Sequence, residues 1–240
     1  MCTVSFLPTA TGFRLAMNRD EKRFRIAALA PEVFRIGERR AIYPREPGGG
    51  TWLAANDAGL CLALINWHRI EHEPRGRIES RGRIIPALIG AKNSGEIGRE
   101  LRKMSLSGTP PFRLVLIDSR RRTLTEWRWN LMELVPQRHR WRTFHWFSSG
   151  YDERGAEKQR TKVCASWLSH GTGSLRRLHA SHLPRRGPFS ICMHRPDAAT
   201  VSYSEILVSR QRVTLRYQSS PPCQIGAGVA RWLACKFCFG

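Results

Sequence analysis

Met1-Cys2-Thr3-Val4-Ser5-Phe6-Leu7-Pro8-Thr9-Ala10-Thr11-Gly12-Phe13-Arg14-Leu15-Ala16-Met17-Asn18-Arg19-Asp20-Glu21 opens the chain. Residues 3–7 read as a strand, rich in β-formers and alternating in polarity. Residues 8–12 carry turn chemistry, because proline presets φ and glycine tolerates positive φ. A second strand-like run, residues 13–17, ends in the tetrad Asn18-Arg19-Asp20-Glu21. Pairing the runs about a turn centred near Ala10 predicts that Cys2 lies opposite Asn18. An early thiol then sits beside an amide, a guanidinium and two carboxylates.

That setting suits nucleophilic chemistry. Aminopeptidases remove an initiator methionine when the next side chain is small, and cysteine qualifies. Cys2 would then carry a free α-amine, ordinarily of pKa about 7.7–8.0, next to a thiol of about 8.5. The amine can serve as the thiol's base. Arg19 is expected to lower the thiol pKa further, and Asp20 to orient the ammonium. Spacing alone leaves the other reading open, an inert cysteine on an edge strand.

Three pieces of the sequence carry a resemblance: the Met1-Cys2 start, the Asn18–Glu21 tetrad, and Gly49-Gly50-Thr51-Trp52-Leu53-Ala54 running on to Asn56, Gly59 and Asn66. Ser80-Arg81-Gly82 and Gly187-Pro188-Phe189-Ser190 add to it. Together they resemble the NRDE family, also called the transport and Golgi organisation family. The resemblance spans residues 1–223 as a single domain and leaves 224–240 as a variable tail. It implies an α+β fold of the N-terminal nucleophile hydrolase kind, a four-layer αββα sandwich of two antiparallel sheets between helices.

Within that superfamily the start is similar to the cysteine-initiated amidases. The similarity implies Cys2 as nucleophile, with Asn18 and Asp20 matching an Asn-x-Asp segment. Asn66 stands where an oxyanion-hole residue is expected, seven residues after Gly59. Ser148 falls where a second oxyanion asparagine is expected, and this departure bears on hydrolytic efficiency rather than on fold. Arg216 is the candidate for a late-strand arginine beside the nucleophile; an edge-strand charge that discourages aggregation is the other reading. Arg19 and Trp52 count with Ser148 as binding residues.

Composition bounds the alternatives. With 41% apolar and 25% charged residues, the chain reads as a soluble globule. No basic and apolar leader and no membrane-length apolar run is found, which points to the cytosol. Seven cysteines without secretory context imply free thiols. The net charge of +21 invites a polyanion partner. Its arginines are spread along the whole chain without a nucleic-acid-binding signature, so nucleic acid is not the expected partner and attraction of small anionic substrates is the better reading.

Further along, residues 22–50 show no period and read as a long loop beside the site. Residues 51–55 and 60–66 form a hairpin about Asn56-Asp57-Ala58-Gly59. Residues 83–104 read as helix, broken near Gly90 or Gly95. Strands follow at 112–118, 123–130 and 141–148, their tryptophans packing against helices or stacking on a flat ligand. Helices are expected at 153–169 and 175–182, and strands at 189–193, 200–208 and 212–218. His68 with His72, His179 with His182, and the lone Cys235-x-x-Cys238 complete no known ligand spacing. Neither a metal nor any other cofactor is expected.

Two functions remain: an N-terminal-cysteine amidohydrolase or acyltransferase acting on a C–N amide or acyl bond, and a protein that uses the same pocket to hand over haem or an acyl-lipid or acyl-thioester ligand without turnover. The resemblance implies the second through the family's association with haem movement and lipid handling.

Overall fold

A computed structural model describes residues 2–74, 76–169, 174–226 and 228–235. Its strands are β1 (Cys2–Thr9), β2 (Gly12–Lys22), β3 (Leu29–Ile36), β4 (Arg39–Arg45), β5 (Leu53–Asn56), β6 (Leu60–Asn66), β7 (Phe112–Asp118), β8 (Thr123–Trp129), β9 (Leu134–His139), β10 (Phe144–Ser148), β11 (Ala198–Val208), β12 (Arg212–Gln218) and β13 (Val229–Ala234). The helices are α1 (Ile84–Leu88), α2 (Ser94–Lys103), α3 (Glu153–Ser169) and α4 (Leu175–His179).

Two antiparallel sheets result. One runs β10-β1-β2-β11-β12-β13 and the other β3-β4-β5-β6-β7-β8-β9. Strict alternation on β1 and β2 sends Val4, Phe6, Phe13, Leu15 and Met17 into the space between the sheets, against Ile42, Leu53, Ile65 and Ile117. Each such side chain removed from water contributes roughly 1.5–3 kcal/mol. The far side of the second sheet is covered by α1 and α2 through Ile84, Ile85, Ile97 and Leu101. The far side of the first is covered by the α3–α4 segment through Cys164, Leu175 and Leu178. The α+β sandwich of two sheets between helices is the expected one.

The β5–β6 hairpin is pinned by Asn56. Its amide donates to the carbonyls of Ile89 (2.8 Å) and Ala91 (2.9 Å), and its Oδ1 accepts from the Ala58 and Leu60 amides. Gly59 turns the chain at φ +76°. Hairpin and α1–α2 break are thereby tied together.

Several expectations change. The β1–β2 turn is tighter than expected, with Thr9 opposite Gly12, so Cys2 faces Arg19 and Thr3 faces Asn18. A one-residue slip reverses the faces of a strand, and Asn18 points away from Cys2, toward α4. Residues 22–50 are not a loop throughout but hold the β3–β4 hairpin, whose exposed, charged, proline-bearing edge strand hides its period. β9, unforeseen, is an edge strand of the same kind. Residues 189–193 are irregular rather than a strand. Residues read as part of a tail form β13, which pairs with β12.

Candidate functional site

β1 lies between β10 and β2, and its first residue is flanked by Ser148 on one side and Arg19 on the other. Directly opposed residues project to the same face, so Ser148, Cys2 and Arg19 form a row on the inter-sheet side. At this edge of the sandwich a cavity of about 210 Å³ opens, lined by Cys2, Arg19, Asp20, Trp52, Asn66 and Arg81 among others. Cys2 is 7% exposed, at the cavity's inner wall.

Arg19 stacks on Trp52, with its guanidinium 4.4 Å from the ring centroid. It also pairs with Glu46 and, at 3.4 Å, with Glu21. Its charge is therefore largely answered before it reaches the thiol. Burial pushes the Cys2 thiol up, and the Asp20 charge adds to this; the Asp20 backbone N–H and Arg19 pull the other way without prevailing. Arg19 lowers the thiol pKa as expected, but its pull is outweighed, because desolvation disfavours the thiolate more than a shared guanidinium helps it.

Asp20 is fully buried. Its Oδ1 accepts a 2.6 Å bond from the Thr200 hydroxyl, and Arg160 of α3 stands 3.9 Å from Oδ2. Burial pushes its carboxyl up against the lowering pull of Arg160 and Thr200. Arg160 in turn donates to Thr3 Oγ1 (3.1 Å) and the Pro188 carbonyl (3.3 Å). A buried guanidinium is costly unless its protons are used, and here they bind α3, β1 and the Gly187–Ser190 turn to the aspartate.

Asn66 ends β6 and lines the cavity from the opposite sheet. Ser148 is buried, and its hydroxyl has no hydrogen-bond partner among the described residues. Ser148 lies beside Cys2 but not in the cavity lining, and two further expected site residues stand well away from the cavity. Asn18 donates to the carbonyls of His179 and Ile191, both at 2.9 Å, and accepts from the His179 ring, so it fastens α4 to the sheet. Arg216 is exposed on the outer side of β12, in a groove with Arg14, Arg212 and Trp232.

Arg81, rather than Arg216, joins Arg19 and Arg25 at the cavity. It donates to the Pro111 carbonyl at 3.0 Å. Its place follows from a close approach of two glycines: a Cβ on Gly82 would meet Gly50 Cα at 3.1 Å, and the Thr51 amide donates to the Gly82 carbonyl. The Ser80-Arg81-Gly82 and Gly49-Gly50-Thr51 motifs are one contact in the fold. Arg160 and Thr200 carried no local signal at all, since each reaches Asp20 only through the tertiary fold.

The result is an α+β sandwich of two antiparallel sheets between helices, with a cysteine at the second position of the chain on the strand that borders the cavity. Solved structures agree. Penicillin V acylase from Agrobacterium tumefaciens superposes with a TM-score of 0.55 at 12% identity, over 98% of this chain and 86% of that one. A cysteine-to-alanine mutant of conjugated bile acid hydrolase from Clostridium perfringens gives 0.60 at 9% identity, over 99% and 97%. An arginine-to-leucine variant of that hydrolase gives 0.56 at 10%, over 98% and 97%. No curated protein sequence matches the chain. The chain belongs to the transport and Golgi organisation 2 family, whose model matches residues 1–191. Among the described residues, no helix is long and apolar enough to cross a membrane.

Proposed function

We propose that the protein is an N-terminal-cysteine amidohydrolase or acyltransferase acting on a C–N amide or acyl bond of a small substrate. The observation that carries this reading is the shared lining of one cavity by Cys2, Asp20 and Asn66. A buried thiol with a raised pKa holds its proton near neutrality, so attack needs a base. Removal of Met1 supplies one, the α-amine of Cys2. The amine takes the thiol proton, and the sulfur attacks the substrate carbonyl. The Asn66 amide donates to the oxyanion, an interaction of roughly 3–4 kcal/mol in comparable sites, and the Ser148 hydroxyl is a second donor.

Collapse breaks the C–N bond, leaves a Cys2 thioester, and passes the proton from the ammonium to the departing amine. Water, or an acceptor amine in the transferase case, then attacks the thioester, giving its proton back through the α-amine. Asp20 holds the ammonium throughout. Arg81, facing the cavity, binds an anionic group of the substrate.

The second reading, retention of haem or an acyl-lipid ligand without turnover, draws on the protonated thiol. The cavity's volume tells against burying a porphyrin in it, since sites that enclose drug-sized ligands run to about 300–1,000 Å³. The two readings separate on one variant. A panel of N-acyl amides should be turned over by the Met1-processed protein, and Cys2→Ala should abolish turnover. Undiminished turnover by Cys2→Ala overturns the proposal. Absence of turnover, with haem or an acyl thioester bound equally by wild type and Cys2→Ala, establishes the second reading instead.

A further inference from the structure

Outside the cavity, four residues from three separate segments converge. His182 follows α4, Cys192 and His194 lie in the irregular stretch before β11, and Cys223 follows β12. Their ligand atoms all lie within 4.8 Å of one another. We propose that His182, Cys192, His194 and Cys223 form a closed four-ligand site for a zinc-class divalent ion.

The three distances from His194 Nε2 are those of a tetrahedron. Nitrogen at about 2.0–2.1 Å and sulfur at about 2.3 Å from a central zinc stand roughly 3.3 Å apart N to N and roughly 3.6 Å apart N to S. The His182 and His194 Nε2 atoms are 3.3 Å apart, and His194 Nε2 is 3.5 Å from each of the Cys192 and Cys223 sulfurs. Hydrogen bonding does not explain this cluster. A neutral imidazole nitrogen gives or accepts one hydrogen bond, yet His194 Nε2 faces three heavy atoms at that range. A central cation satisfies all of them together.

The ligand set also selects the ion. Two thiolates with two imidazoles favour zinc and other soft or borderline metals over magnesium and calcium. Binding releases two thiol protons and leaves a complex of zero net charge. One neighbour must adjust: Arg186 Nη2 lies 3.4 Å from His194 Nδ1, which carries the proton once Nε2 is metallated. Arg186 is exposed and free to turn outward.

With four protein ligands the site leaves no open position, which makes it structural rather than catalytic. Its place in the fold says what it steadies. Met193 stands between two ligands; its amide donates to Thr200 Oγ1 and its carbonyl accepts from the Thr200 amide, both at 2.9 Å. Thr200 is the residue that donates to Asp20. The ion therefore braces the segment that positions the buried carboxylate, and ties it to the chain leaving β12.

The test is metal content of the full chain purified without chelator, followed by cobalt(II) reconstitution. One zinc per chain is expected, and cobalt should give the intense visible bands of tetrahedral coordination with thiolate charge-transfer absorption. Cys192→Ser and His182→Ala should each weaken zinc binding about tenfold or more and lower the melting temperature. Cys2→Ala should keep its full complement of metal. Wild-type protein that takes up neither zinc nor cobalt overturns the proposal, as does a Cys192–Cys223 disulfide in protein kept under reductant. Cobalt spectra of the wild type remain decisive if a variant fails to fold. The outcome is independent of whether Cys2 is a nucleophile.

Discussion

Asp20 concentrates the physical conflict of the site. A carboxylate with no access to water is tolerated because Thr200 donates to it and Arg160 stands nearby, yet its pKa still lies above the ordinary value. A carboxyl that must be ionised to hold an ammonium then sets the acid limb of activity. That limb should fall above the carboxylate reference of about 3.9. Thr200→Val removes a bond to the charged form, so the carboxyl titrates at still higher pH and the acid limb moves up. A pH profile of kcat/KM checks the sign; a limb that stays put or moves down refutes the role given to Asp20. Lost hydrogen bonds to charged groups commonly cost about 1.5–3 kcal/mol, so the shift should be readily measured.

A second polar line runs through the same layer. His145 Nδ1 is 2.8 Å from Ser5 Oγ, and Ser5 Oγ is 2.9 Å from His179 Nε2. Asn18 spends both amide protons on carbonyls, so its Oδ1 must accept from His179 Nδ1–H. His179 Nε2 then accepts from the Ser5 hydroxyl, and Ser5 accepts from His145. Burial holds the His179 ring neutral, its pKa lowered to about 3, which this order of donors requires.

Among the elements, the β1–β2 hairpin decides most. Its turn sets which residue faces Cys2, and its outer end is clamped against β11. A Cβ at Gly12 would stand 2.0 Å from the Val208 carbonyl oxygen. Backbone cannot yield there without shifting the strand pair β2–β11, which is paired from Phe13↔Val208 to Lys22↔Ala198. Gly12→Ala should therefore destabilise the protein by about 1–3 kcal/mol, the usual range for overpacking. Urea unfolding midpoints test this, and an unchanged midpoint would show that the hairpin tolerates another path.

Over the molecule as a whole, 40 basic residues against 19 acidic ones leave a charge of +21. The cavity does not share this excess. Its charged lining comprises Arg19, Arg25 and Arg81 against Asp20, Glu21, Glu46 and Glu79. The surplus is spread over the outer surface, where it repels itself. Raising ionic strength from about 0.01 M to about 0.15 M shortens the Debye length from about 30 Å to about 8 Å. The melting temperature should rise over that interval, and any retention on nucleic acid should fall steeply. A melting temperature that drops with salt would mean that attractive pairs dominate.

Local pattern was enough for the β5–β6 hairpin and α3, while the family resemblance carried by the opening motifs implied the sandwich and the gathering of Cys2, Asp20, Trp52 and Asn66. Strand alternation, turn residues and the opening motifs are written within a few neighbouring positions. Faces and partners were another matter. The hairpin register turned on one residue, which sent Asn18 to α4, and Arg216 followed its strand to the outer surface. Arg160, Thr200 and the His182–Cys192–His194–Cys223 cluster are made by residues far apart along the chain. Only the folded sheets and the connections over them bring such groups within bonding distance, because long-range contact depends on packing that no local spacing encodes.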